Sequence, residues 1–260
     1  MQQSLINSYL AGWTDGDGCI HISKTSKLSL KLIDKEPIEF FKTNLNIFNI
    51  IEEVKIDKRF KAKQEYRIQI GGKKAVDCLK QIVPFLIEKQ NKAKEYINIY
   101  EENNFNCSYL QHTENEFFGW LAGFSEAEGC FSVKKRRKIV KNKIYFNQEP
   151  VFELTNTNQY VMNLIVKKLH EYKIAENKNL NVRKASQKIC KITNKLITRK
   201  ESYRLLLGGN DLLVFYQKIY PFMVIKRKKN KLLEGIEVMK NYRRKRKELK
   251  KNLKKFYGKE

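Results

Sequence analysis

Apolar positions change period abruptly within the first thirty residues. Leu5, Ile6, Tyr9, Leu10 and Trp13 recur at helical spacing, so residues 4–14 predict an amphipathic helix. Beyond Gly18 the period falls to two. Ile20 and Ile22 alternate with His21 and Ser23, and Leu28, Leu30 and Leu32 alternate with Lys27, Ser29 and Lys31. Two strands joined by a turn at Thr25-Ser26 are expected. Pro37 stands where a first helical residue belongs and opens a helix to about Leu45. Residues 51–60 and 64–70 read as a second hairpin closed by Gly71-Gly72, with helices over 74–83 and 91–100. The order is α-β-β-α-β-β-α-α.

The same order recurs. Leu10-Ala11-Gly12-Trp13-Thr14-Asp15-Gly16-Asp17-Gly18 reappears 111 residues later as Leu121-Ala122-Gly123-Phe124-Ser125-Glu126-Ala127-Glu128-Gly129. Tyr66 to Gly72 matches Tyr203 to Gly209 at an offset of 137, as Pro84-Phe85 matches Pro221-Phe222. Between them, Leu28, Leu30 and Leu32 fall against Pro150, Phe152 and Leu154 at 122. The second copy has therefore gained 11 residues and then 15 more in strand-rich stretches, read as lengthened loops. The expected fold class is α+β: two pseudo-symmetric αββαββα-type repeats with antiparallel sheets. The first repeat is placed at 1–105, a polar linker at 106–115 and the second repeat at 116–260. From Lys226 onward a strongly basic helix is expected, with Leu232, Ile236 and Met239 as its packing stripe.

Charge narrows the function. The 260 residues carry 53 Lys+Arg against 28 Asp+Glu, a net +25 that repels itself unless a polyanion balances it. Nucleic acid is favoured over membrane because no uninterrupted apolar run reaches spanning length. Five cysteines without C-x-x-C spacing fit thiols in a reducing compartment. The three histidines are too scattered for a metal cluster. Met1-Gln2-Gln3 runs straight into the helical pattern, so no leader is expected. Richness in Lys, Ile and Asn hints at an AT-rich, organellar coding genome.

Ala11-Gly12 and Ala122-Gly123 lack bulk, so the two motif helices can approach closely. Their C-terminal ends would then bring Asp17 and Glu128 side by side, where a hard divalent cation would relieve the repulsion. Asp15 and Glu126 fit helix-end structure or a direct metal role. A calcium-loop reading of Asp15-Gly16-Asp17-Gly18 fails, because Cys19 and Ile20 stand where a ligand and a glycine are needed.

The paired motifs resemble those of the LAGLIDADG homing endonucleases in their single-chain, two-repeat form, over nearly the whole chain. The resemblance implies a monomeric, site-specific endonuclease making a double-strand break in a long asymmetric DNA target and leaving 3′ overhangs. It implies catalytic Mg²⁺ held by Asp17 and Glu128, with the backbone of Gly16 and Ala127 contributing. Mn²⁺ would substitute, and Ca²⁺ would support binding without cleavage. By repeat position, Lys89 and Lys226 match the family's basic residue near the scissile phosphates, against the plain reading of solvated lysines. Asp34 and Asn156, at the ends of the second strands, join the catalytic candidates. An intron RNA maturase of the same fold is the alternative, so intron RNA stands beside double-stranded DNA as a partner.

Strand alternation supplies the binding face. His21, Ser23, Lys27, Ser29, Lys31, Arg67 and Gln69 would point away from the first core, with Lys61 and Lys63 near the turn. Ser132, Lys134, Arg136, Tyr145, Asn147, Arg183 and Arg204 are their counterparts in the second repeat. Arg can read guanine, and Asn or Gln adenine, while turn lysines set register on phosphates. Glu149, Val151 and Glu153 interrupt this face in the second half, where an ordinary solvated sheet would also carry acids.

Overall fold

A computed structural model describes residues 1–23, 26–54, 64–101, 105, 107, 111–140, 143–189 and 196–257. The first repeat runs α1 (Gln3–Gly16), β1 (Gly18–His21), β2 (Lys27–Leu32), α2 (Glu36–Asn44), β3 (Glu52–Val54), β4 (Glu65–Gly71), α3 (Gly72–Ile82) and α4 (Gln90–Glu101). A 3₁₀ turn, Val83–Phe85, carries Pro84 between the last two helices. The second repeat runs α5 (Glu114–Glu128), β5 (Gly129–Val140), β6 (Lys143–Asn156), α6 (Gln159–Glu171), β7 (Asn181–Arg183), β8 (Ser186–Ile189), β9 (Leu196–Arg199), β10 (Ser202–Gly208), α7 (Gly209–Ile219) and α8 (Lys226–Tyr257).

The two main sheets have one topology. Their orders are β1-β2-β4-β3 and β5-β6-β10-β7, antiparallel throughout. Leu28, Leu30, Ile68 and Ile70 point inward in the first, as Phe152, Leu154, Leu205 and Leu207 do in the second. In the second core Phe131, Phe152 and Phe215 stack in a row, with centroids 4.7 and 4.8 Å apart. Gly72 and Gly209 take positive φ (58° and 61°), which only glycine adopts freely and which turns each last strand into a helix. Leu232, Ile236 and Met239 are buried, so α8 packs as its stripe predicts.

The extra residues of the second repeat are built differently from the expectation. The first gain lengthens strands: the β5–β6 hairpin has strands of 12 and 14 residues where β1 and β2 have 4 and 6. Part of the second gain forms a separate two-stranded hairpin, β8–β9, between β7 and β10. Register explains why strands could grow. Alternation continues from Gly129 opposite Leu154 out to Val140 opposite Lys143, so added residues found ladder partners.

Between the repeats, Thr113 caps α5 in a capping box with Glu116, so the last residues of the stretch placed at 106–115 belong to the helix start. Residues 106 and 108–110 lie outside the described residues. His112, just before the cap, is buried and packs its ring on Phe85, 6.0 Å away. Burial pushes its imidazole down from 6.5 to about 4. The stability due to a neutral His112 is therefore fully present above pH 6.5 and is lost as pH falls toward about 4. The gap corresponds to about 3 kcal/mol. Denaturant titrations at pH 7 and pH 4.5 should show His112→Leu losing less stability on acidification than the parent, and equal losses would refute it.

Candidate functional site

The motif helices α1 and α5 pack through their small residues. A Cβ on Gly12 would collide with the Trp120 carbonyl, and one on Gly123 with the Tyr9 carbonyl. At the far end a Cβ on Gly16 would run into the Ala127 side chain, with Glu128 Cγ 3.5 Å away. The helices touch down to their C-termini. Asp17 and Glu128, the next residues out, thus meet at the seam.

Electrostatics there follow from burial and proximity. Burial pushes the Asp17 carboxyl up, against the charges of Lys228 and Lys89. Burial pushes Glu128 up as well, and the charge of Asp17 adds to it. Burial lowers Lys89 and Lys228, with the neighbouring acids acting in the opposite direction. Two carboxylates facing two ammoniums are what the seam contains. Glu88 is a third acid whose charge reaches Glu128, and its own carboxylate is hydrogen-bonded by Asn158.

Asp15 and Glu126 serve helix ends, but not those of their own helices. Each reaches past its own helix end to cap a later segment. Asp15 accepts from the backbone N–H groups of Ile87 (2.8 Å), Glu88 (3.2 Å) and Lys89 (2.8 Å) ahead of α4. Glu126 accepts from Val224 (3.0 Å) and Ile225 (2.8 Å) ahead of α8. These are carboxylates at helix N-termini, where the free N–H groups and dipole favour them.

In the second repeat the matched lysine is not the one that reaches the seam. Lys89 Nζ donates to the carbonyls of Thr14 (2.8 Å), Asp15 (2.5 Å) and Gly16 (3.1 Å), closing the end of α1. Lys226 is exposed on the first turn of α8. Lys228 instead donates to Glu126 and, at 3.0 Å, to Gly129, closing the end of α5. Lys89 lies just ahead of the first residue of α4, whereas Lys226 is already the first residue of α8, so the two side chains leave the backbone in different directions. No residue offset could have shown this.

Asn156 lies beside Glu128, its Nδ2 3.4 Å from Oε1. Asp34 receives both arms of Arg227 at 3.0 and 2.7 Å, a bidentate pair across the repeat boundary. The backbone carbonyl of Gly16 is taken by Lys89.

Register places most of the sheet candidates on one outer face. His21 opposes Lys27, Ser29 opposes Gln69, and Lys31 opposes Arg67. Ser23 lies past the end of β1, its N–H on Ser26 Oγ. In the second sheet Arg204 opposes Asn181, Ser202 opposes Arg183, and Lys134 opposes Glu149. By ladder position Ser132, Arg136, Tyr145 and Asn147 share that face, although the side chains of the last three lie outside the described residues. Lys61 and Lys63 also lie outside them. Cys19 and Cys130, unnoticed in the sequence as surface groups, are exposed at equivalent positions on the two faces.

Register puts Glu153 where the first repeat has Ser29, each opposite the cysteine that follows its motif, and it gathers three cations. Arg204, Arg183 and Lys134 approach it at 2.6, 3.1 and 3.5 Å. Burial pushes its carboxyl up, but the hydrogen bond and charge of Arg204, helped by Lys134, outweigh that and hold it below its usual range. Glu153→Gln should free these cations for phosphates. Its affinity for unrelated duplex DNA should rise, with a log–log salt slope steeper by about one. An unchanged slope in a salt titration would remove Glu153 as a brake on non-specific binding.

Two family models match: LAGLIDADG-like domain over residues 4–83 and LAGLIDADG endonuclease over residues 121–208. Together they take in more than half of the chain, one per repeat. The chain belongs to the LAGLIDADG family. Solved LAGLIDADG homing endonucleases share its fold. I-GzeII in complex with DNA target is 14% identical, with 92% of this chain and 91% of that one covered and a TM-score of 0.55. I-LtrWI bound to target DNA is 17% identical, with 92% and 97% covered and a TM-score of 0.54. I-CpaMI bound to uncleaved DNA is 14% identical, with 92% of each covered and a TM-score of 0.53. No curated protein matches. In this LAGLIDADG chain the motif that defines the family is the one that builds the α1–α5 seam.

Proposed function

We propose that this chain is a monomeric, site-specific homing endonuclease that makes a divalent-metal-dependent double-strand break in an asymmetric DNA target. One observation carries the reading: Asp17 and Glu128 meet at the seam with the ammoniums of Lys89 and Lys228 beside them. A purely binding protein gains nothing from two buried like charges facing a polyanion.

The residues fit Mg²⁺. Among the described residues no group of three His, Cys, Asp or Glu gathers to hold a metal. Mg²⁺ asks for less: one or two carboxylates, the rest of its octahedron being waters and substrate phosphate. Asp17 and Glu128 would hold it. Bound there, the cation supplies Lewis acidity toward phosphate and acidifies water.

The chain's own residues do the rest. Water adds to phosphorus and one P–O bond breaks on each strand, so negative charge develops at the seam. Lys89 and Lys228 stabilise that charge. All three ammonium protons of Lys89 already have backbone acceptors, so it acts as a fixed positive charge and not as a proton donor. Asn156 holds Glu128 from the side. The sheet faces bind the duplex in the major groove and the halves differ, which makes the target asymmetric.

Incubation with a randomised or intronless-locus DNA library tests this. Discrete ends with short 3′ overhangs are expected with Mg²⁺, none with EDTA, and binding without ends with Ca²⁺. Tight binding with no ends under Mg²⁺ would refute the nuclease and move attention to intron RNA.

A further inference from the structure

We infer that Trp120 and Tyr9 are positioning residues that set the two seam lysines across the repeat boundary, so each repeat tunes the other's half of the break. The inference rests on the nuclease reading above. Trp120 Nε1 donates to Asp15 Oδ2 at 2.9 Å, and Tyr9 Oη donates to Glu126 Oε2 at 2.5 Å. Trp120 lies 111 residues after Tyr9, the motif offset, so the two clasps are one contact repeated by pseudo-symmetry. Both rings are fully buried, and Asp15 and Glu126 are 1% exposed.

The clasps control where the lysines sit. Asp15 holds the backbone N–H of Lys89 itself, together with its two predecessors. Trp120 is its fourth donor, which fills both oxygens and fixes the carboxylate plane. Glu126 holds the last two residues before α8, whose first turn carries Lys228. Trp13 Nε1 in turn donates to Tyr9 Oη at 2.6 Å, leaving that hydroxyl's proton for Glu126. Without its aromatic donor, a dry carboxylate is one hydrogen bond short and must rotate. The turn it caps then shifts, and with it the ammonium. A displacement on the order of 1 Å in a reacting constellation is enough to cost tenfold or more.

Neither ring faces DNA, so a merely structural role would slow both strands alike. Crossed clasps predict a strand bias instead. The test uses supercoiled plasmid carrying the selected target, with strand-resolved sequencing of ends. Lys89→Met and Lys228→Met first define which strand each lysine serves. Trp120→Phe should then slow the Lys89 strand about tenfold, and Tyr9→Phe the Lys228 strand about fivefold, with the opposite strand changed less than twofold. Nicked circle should accumulate in both, cut in opposite strands. The double variant should slow both strands, so its strand bias falls below that of either single variant. Tyr9→Phe removes one oxygen atom, so that arm decides the matter even where Trp120→Phe folds poorly. Parental cutting with equal slowing of both strands, or a bias opposite to the lysine variant's, overturns the inference. A parent that makes no ends overturns the nuclease reading, and the inference with it.

Discussion

Asp17→Asn and Glu128→Gln are each expected to lower cleavage by about a thousandfold or more and to leave DNA binding within a few-fold of the parent. The asymmetry between the two readouts comes from where the acids stand. Both sit at the ends of α1 and α5, behind the faces on which His21, Lys31, Arg67 and Arg204 are displayed. On the proposed reading binding is carried by those faces and by net charge, and removing one negative charge can only strengthen attraction to phosphate. Cleavage, as proposed, needs the carboxylates as oxygen donors. An amide keeps the shape but is a far poorer ligand for a hard cation. Stability should rise slightly in both variants, because burial already pushes both carboxyls up and each variant removes one half of a repulsive pair. A nick-and-bind assay on one target reads both quantities. Loss of binding in step with cleavage would place these acids in the recognition surface, and undiminished cleavage would remove them from the chemistry.

Much of this architecture was legible because local and tertiary requirements coincide. The switch of period at Gly18, Pro37 at the start of α2 and Gly71-Gly72 before α3 each mark a boundary the structure keeps. The small residues of the motif announced close helix packing, and Gly12 and Gly123 both prove to lie against backbone. What sequence could not show is anything decided by where a helix starts or by contacts between repeats. Lys226 matched Lys89 by offset, yet α8 begins one residue sooner after its proline and Lys228 reaches the seam. Asp15 and Glu126 read as helix ends or ligands, yet their partners lie 72 and 98 residues away. Glu153 looked like an interruption of a basic face. Only the registers of β6 against β5 and β10, and of β10 against β7, show that it gathers Arg204, Arg183 and Lys134.

The largest expected loss of stability belongs to the same motif. Gly12→Ala and Gly123→Ala should each destabilise by roughly 3 kcal/mol or more, and Gly12→Val should not fold. Two effects compete. Alanine is the better helix former by about 1 kcal/mol, which in an open helix would make either change stabilising. Here the added methyl meets a main-chain carbonyl: Trp120 for Gly12, Tyr9 for Gly123. A long side chain could rotate aside, but a carbonyl inside a buried helix moves only with the helix. The clash must therefore separate α1 from α5, which strips contacts from Trp120, Phe124 and Tyr9 at once. Gly72→Ala supplies the control. Its φ is +58° and none of the described residues lies within 4 Å of an added Cβ, so it should cost only about 1 kcal/mol of backbone strain. Denaturant unfolding of the three alanine variants separates the causes. Losses at Gly12 and Gly123 well beyond that at Gly72 identify helix apposition, whereas equal losses would reduce them to ordinary backbone effects. Separation should also pull Asp17 away from Glu128. Gly123→Ala that still folds should thus lose cleavage more steeply than it loses DNA binding, because the seam that closes the core also sets the spacing of the two acids.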